Sequence, residues 1–171
     1  GGIAAVDWSP TDDFIAVGLN TPGTQLVRVY RFDEGAGTLT DQTSAYVGES
    51  TAAVQDVSWK SDGTALVIGR VAAAGTDFRM YSFDKTAVTL SLVGGFDIPA
   101  SVNSVHWSVN GAFVAEGDST SQLGVYLGMT TGTNDELILE NVRTILSSNV
   151  RFEKPVRSKG SCILNGTNNT I

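Results

Sequence analysis

The chain of 171 residues has one cysteine, one histidine and four prolines, and only 17% of it is charged. With Cys162 alone, no intrachain disulfide and no cysteine-rich metal site can form. That fits a reducing compartment without excluding a secreted bacterial protein. A single histidine, His106, leaves no credible Ser-His-Asp set. No apolar run approaches the ~20 residues that span a bilayer. The first residue is not Met and no signal-like segment follows, so the expectation is an excerpt of a larger protein. Its compartment then stays open between cytoplasm and bacterial cell surface.

What is plentiful points to strands and turns. Hydrophobic residues make up 42% of the chain, enough for a buried core, and 19 glycines accompany abundant Thr, Val and Ser. The net charge is −7 and the pI about 4.5, which argues against nucleic acid or an anionic membrane as partner. Residues 1–135 carry 15 acidic and 6 basic side chains, net −9, whereas residues 136–171 carry 3 and 5, net +2. The shift marks a boundary between a first domain, 1–135, and a tail, 136–171.

The first domain repeats. Trp8, Trp59 and Trp107 lie 51 and 48 residues apart. Five residues before each stand Ile3, Val54 and Val102, and two before each stand Val6, Val57 and Val105. Turn residues follow: Pro10-Thr11-Asp12-Asp13, Ser61-Asp62-Gly63 and Val109-Asn110-Gly111. Asp-Gly and Asn-Gly favour tight turns because they tolerate positive φ. Each copy then runs through a short apolar stretch to Gly18, Gly69 or Gly117. A third strand ends on Tyr30, Tyr81 or Tyr126, which lie 22, 22 and 19 residues after the tryptophan. Fourth strands are predicted at residues 38–46, 88–93 and 136–139.

Four short antiparallel strands in each unit of about fifty residues is the arithmetic of a β-propeller blade. The predicted fold is therefore all-β: three consecutive four-stranded blades, about 1–48, 49–97 and 98–140, making an incomplete propeller with a short β-rich tail. The three tryptophans should be equivalent and largely buried. The segment Val6-Asp7-Trp8-Ser9-Pro10 through Ala16-Val17-Gly18 resembles the inner and second strands of WD-repeat proteins, and the resemblance recurs over residues 1–128. It departs from that family where Trp-Asp is replaced by Tyr30-Arg31, Tyr81-Ser82 and Tyr126-Leu127, and where Gly-His is missing. Without those residues the family's internal hydrogen-bond network is lost, so apolar packing should hold the blades. The resemblance implies a rigid interaction platform.

Propellers typically close with about four to eight blades. Three leave two open apolar faces, so further blades ahead of Gly1 are expected, with closure by self-association as the other explanation. In the tail, residues 137–139, 150–152 and 162–164 read as short strands between Asn- and Gly-containing turns. The ending from Ser161-Cys162-Ile163-Leu164-Asn165-Gly166 to Ile171 resembles a first rung of pectate-lyase-like right-handed β-helices, whereas a bland reading lets Glu136–Phe152 finish blade three and leaves the rest a loop-rich tail.

No side chain commits to chemistry. His106 sits between Val105 and Trp107, where the other copies have Asp7 and Ser58, and reads as a structural or channel-lining polar residue. Asp12, Asp13 and Asp62 belong to turns and match no calcium loop. Asp33-Glu34 sits in an exposed turn, and Gly94-Gly95 lacks the strand-to-helix context of a phosphate loop. Arg28 and Arg79 cover apolar surface with their stems, and Cys162 reads as a small core residue. Asn165-Gly166-Thr167 and Asn168-Asn169-Thr170 match glycosylation acceptors, relevant only in a eukaryotic secretory route. The expectation is a non-enzymatic scaffold with no cofactor, no metal and no assigned site residue. It would bind a protein or peptide on the propeller face, not nucleic acid or membrane. The alternative is a carbohydrate-binding or adhesive surface protein joining a propeller to a β-helix.

Overall fold

Val54, Val57 and Trp59 cannot all face one side of a regular strand, because side chains alternate and the first two are three residues apart. The chain resolves this with a β-bulge. In the computed structural model, which describes residues 2–11, 13–20, 23–45, 47–49, 52–72, 76–128, 137–140 and 156–159, the register shifts between Val54 and Asp56 where β6 (Val54–Trp59) pairs with β7 (Ala65–Arg70). The extra residue brings both valines and the tryptophan to one face. The same shift recurs between Ile3 and Ala5 in β1 (Ile3–Trp8) and between Val102 and Ser104 in β10 (Val102–Trp107).

Three antiparallel sheets follow in chain order within the unit Gly1–Met129. The first is β1, β2 (Phe14–Leu19), β3 (Gly23–Asp33) and β4 (Thr38–Asp41). After a single 3-10 turn at Thr43–Ala45, β5 (Val47–Glu49) returns to pair with the opposite end of β3. The predicted fourth strand of this blade is thus split in two across one long partner. The second sheet is β6, β7, β8 (Phe78–Asp84) and β9 (Thr89–Phe96). The third is β10, β11 (Phe113–Asp118) and β12 (Leu123–Leu127). Gly63 and Gly111 adopt φ of 67° and 65°, as the Asp-Gly and Asn-Gly turns require.

The core lies between the sheets. One cluster joins Phe14, Ala16 and Val29 of the first sheet to Val57, Trp59 and Phe83 of the second. A second cluster joins Val67, Phe78 and Met80 of the second sheet to Val105, Trp107 and Val114 of the third. Covered on both faces, β7 is buried along its whole length. Outer strand β4 is exposed throughout. Edge-on aromatic contacts knit the first junction, with Phe83 4.9 Å from Trp59 and 5.1 Å from Phe14.

The three tryptophans are equivalent in sequence but not in burial. Trp59 and Trp107 are 5% and 3% exposed, whereas Trp8 is 46% exposed. The expectation of uniform burial fails for Trp8 because Trp59 and Trp107 pack on the preceding sheet, and among the described residues no sheet precedes β1. Leu137–Glu140, expected to close blade three, pairs in parallel with Val156–Lys159 instead. These strands, β13 and β14, belong to the separate unit Thr130–Ile171. The strands predicted at 150–152 and 162–164, together with Cys162 and Asn165 to Thr170, lie outside the described residues, and the β-helix resemblance gains no support.

Removing Trp59 deletes a ring that bridges two sheets. Trp59→Ala should cost about 3–5 kcal/mol, while Val109→Ala, in an exposed turn, should stay within about 0.5 kcal/mol. Urea denaturation of both variants checks the contrast.

Candidate functional site: the inner-strand edge

Strands β1, β6 and β10 are the inner strands of successive sheets, with β6 packed between the other two. One residue before each tryptophan the chain places Asp7, Ser58 and His106. Asp7 Oδ2 accepts the backbone N–H of Trp59 at 2.6 Å, and the Asp7 carbonyl accepts the Trp59 indole N–H at 3.2 Å. Ser58 Oγ accepts the backbone N–H of Trp107 at 3.4 Å. Asp56 adds a third link, its Oδ2 accepting from Val105 N at 2.9 Å and from Ser104 Oγ at 3.2 Å. The sheets are therefore tied by side-chain acceptors as well as apolar packing. Sequence reasoning missed these links, whose only signal was a polar residue repeated beside each tryptophan.

The same edge carries the charge. Burial raises the Asp7 carboxyl above its ordinary value of 3.8, with the Trp59 amide and His106 pulling the other way. His106 is solvent-exposed, and its Nδ1 lies 2.7 Å from the Trp107 carbonyl. Because a carbonyl only accepts, Nδ1 is the protonated nitrogen in that contact, and Nε2 of the neutral ring is an acceptor. Asn103 and Ser104 reach solvent beside it. Asp7, Asp56, Asn103, Ser104 and His106 thus form a polar row with net negative charge. Among the described residues, no three His, Cys, Asp or Glu side chains are grouped to hold a metal ion.

A second polar feature lies inside the junction of the second and third sheets. Glu116 occupies the place filled by Val17 and Ile68 in the other copies, and it is buried. Tyr126 donates its hydroxyl to Glu116 Oε1 at 3.4 Å, while Oε2 has no hydrogen-bond partner among the described residues. Gly124 stands opposite, where a Cβ would come within 2.4 Å of Glu116 Oε1. Burial raises the Glu116 pKa, with Asp118 adding to it. Burial and the neighbouring Glu116 push Tyr126 up to about 12. The ring of Tyr126 stacks on Phe96 at 4.6 Å.

The remaining candidates fall to structural roles. Asp62 accepts from Thr64 and pairs with Lys60 at 2.7 Å; burial opposes ionisation, but these hydrogen bonds outweigh it and hold the carboxyl at about 2. Asp33 caps its own turn through the Ala36 N–H, with Glu34 exposed beside it. Asp13 is exposed on the approach to β2, and Asp12 lies outside the described residues. Gly95 lies in β9, where a Cβ would sit 2.5 Å from the Phe78 carbonyl, so close strand approach explains it. Arg28 is half-buried, and Arg79 is buried with its Nε donating to the Thr76 carbonyl. Arg70, fully buried, donates to the same oxygen.

No protein-family model and no curated protein sequence matches the chain. Solved structures do. A chain of the mitotic checkpoint complex superposes with a TM-score of 0.53 at 17% identity, covering 73% of this chain and 36% of that one. The C-terminal WD40 domain of Sif2 gives 0.55 at 14%, covering 75% and 34%. A protein from Bacteroides uniformis, provisionally assigned as a 6-phosphogluconolactonase, gives 0.60 at 17%, covering 74% and 36%. The fold is that of a β-propeller, of which this chain supplies a part; it spans about a third of the length of the structures it matches. The likeness to a lactonase propeller corrects the expectation of a non-enzymatic protein, because the same blades serve enzymes and interaction domains alike.

Two predictions follow from this geometry. Asp7→Ala leaves the Trp59 amide without its acceptor and should cost about 1–3 kcal/mol. Asp7→Asn retains an acceptor oxygen and should cost less than half as much in the same denaturant series. For Glu116 the folded pKa lies above the ordinary 4.5. Ionisation therefore penalises the folded state as pH rises through the window from 4.5 to the raised value, and the penalty is complete above it. Glu116→Gln should be more stable than wild type at pH 7, with the gap closing as pH falls through that window. Thermal melts at stepped pH read this directly.

Proposed function

We propose that this chain is part of a propeller binding platform, and that the inner-strand edge receives a protein or peptide segment rich in cationic donors. The supporting observation is the row of Asp56, Asn103, Ser104 and His106, polar groups held on strands whose backbones are pinned between packed sheets. Rigid presentation reduces the ordering cost of binding. The net charge of −9 over residues 1–135 favours a basic segment and speeds its encounter.

Fluorescence anisotropy with a labelled lysine- and arginine-rich peptide, against an acidic peptide of equal length, tests this. The basic peptide should bind more tightly, and its affinity should fall with salt. Combined Asn103→Ala and His106→Ala should weaken it at least about fivefold, or ~1 kcal/mol, without shifting the melting temperature. Equal affinity for both peptides would sink the reading.

A second reading is favoured by the lactonase neighbour together with Asp7, Asp56 and His106 on one edge: an enzyme acting on a sugar-acid lactone, with these groups as acid and base. Lactone hydrolysis above the spontaneous rate, lost in His106→Ala, would favour it over binding alone.

A further inference from the structure

At one position the third sheet inverts the chemistry of the other two. Across their second and third strands, the first two sheets pair an apolar residue with an arginine, Val17 with Arg28 and Ile68 with Arg79. The third sheet pairs Glu116 with Gly124. A tyrosine stands two residues further on in every copy, at Tyr30, Tyr81 and Tyr126. The long cationic side chain is thus gone, and a carboxyl lies where it would start. A Cβ on Gly124 would come within 2.4 Å of Glu116 Oε1 and 2.8 Å of the Tyr126 hydroxyl.

That carboxyl is badly placed to carry a charge. Glu116 is 5% exposed, and its Oε2 has no hydrogen-bond partner among the described residues. The second sheet lines this junction with Val67, Phe78 and Met80. The charged and titratable groups that act on Glu116 are Asp118, on its own strand, and Tyr126, on β12; the Gly124 amide is its backbone donor, and none of these is a cation. A buried carboxylate without a cation is relieved by taking a proton or by reaching water. Both routes exist here. Tyr126 and Phe96, stacked at 4.6 Å, are half-buried, and Gly124 beside them is partly exposed with no side chain to bar the way.

We propose that Glu116 is a proton-operated latch on this junction. As the neutral acid it stays between the sheets beside Tyr126, whose ring remains stacked on Phe96. On losing its proton to water, the carboxylate swings out past Gly124 and Tyr126 leaves Phe96 with it. Burial and Asp118 both favour the neutral acid, so the closed state belongs to the acidic side. The motion is local, because Val102, Val105 and Trp107 still hold the inner strand against the second sheet. The first junction has no such latch, since Ile68 stands there in place of a carboxyl.

Nuclear magnetic resonance of the full chain, with glutamate carboxyls labelled, tests this from about pH 5 to about pH 8. The Overhauser contact between Tyr126 and Phe96 should weaken as the Glu116 carboxyl ionises, the ratio of parted to stacked rings rising about tenfold per pH unit through that step. The contact between Trp59 and Phe83 in the first junction should hold throughout. Glu116→Gln should keep Tyr126 on Phe96 over the whole range. Gly124→Ala, which takes the space of Oε1, should part the rings even at the acid end. Rings that stay stacked once Glu116 is ionised overturn the proposal. So does parting at the same pH in Glu116→Gln, or a stack in Gly124→Ala as tight as in wild type. Loss of the Trp59 contact together with that of Tyr126 overturns it too, because the change is then global unfolding.

Discussion

The seating of one inner strand against the sheet before it is the interaction on which the rest of this structure depends. A tryptophan and two bulged valines press into the preceding sheet, a glycine there leaves room for the first valine, and a side-chain acceptor there takes the tryptophan N–H. Burial of these apolar groups provides most of the drive, at about 25 cal/mol per Å². The hydrogen bonds add less on balance, but they prevent a backbone donor from being sealed away unsatisfied. Every other regularity follows from this contact. The second strand is apolar because it lies at the junction, and the outer strand is polar because it does not.

A junction of this kind needs a sheet on each side, and this explains why burial falls off from the middle sheet outward. The second sheet is covered twice and β7 is wholly buried. The first and third sheets each keep one face open, so identical sequence positions have different surroundings. Glu116 marks where the pattern is modified from within. At a place where the other copies carry Val17 and Ile68, a carboxyl is set against Tyr126 with Gly124 making the space. Its ionisation couples the packing of the second and third sheets to pH.

Likeness to known structures is a likeness of blades. A chain of a mitotic checkpoint complex, a WD40 domain and a protein provisionally assigned as a lactonase share the arrangement at 14–17% identity. The likeness is therefore one of fold and leaves function to what the inner strands present. Here those strands present carboxylates, amide and hydroxyl groups and the single imidazole. A ring or longer array of blades would arrange such rows around an axis.

The repeat, the second strand of each blade and the Asp62-Gly63 and Asn110-Gly111 turns were legible from the residues, because apolar patterning and turn preference are local properties, whereas the third and fourth strands of the first blade proved longer and split. So were the structural roles of Asp33 and Asp62. The burial of Trp8 was misjudged, the links from Asp7, Asp56 and Ser58 were not foreseen, and the pairing of Leu137–Glu140 with Val156–Lys159 was read differently. Each of these turns on which sheet or strand lies opposite, a partner separated by about twenty to fifty residues along the chain. Sequence alone determined that blades form, since each strand's pattern is written in its own residues. Only the tertiary structure decided which of three equivalent tryptophans is buried and which polar neighbours become interblade acceptors, because burial and hydrogen bonding belong to pairs of surfaces and not to single residues.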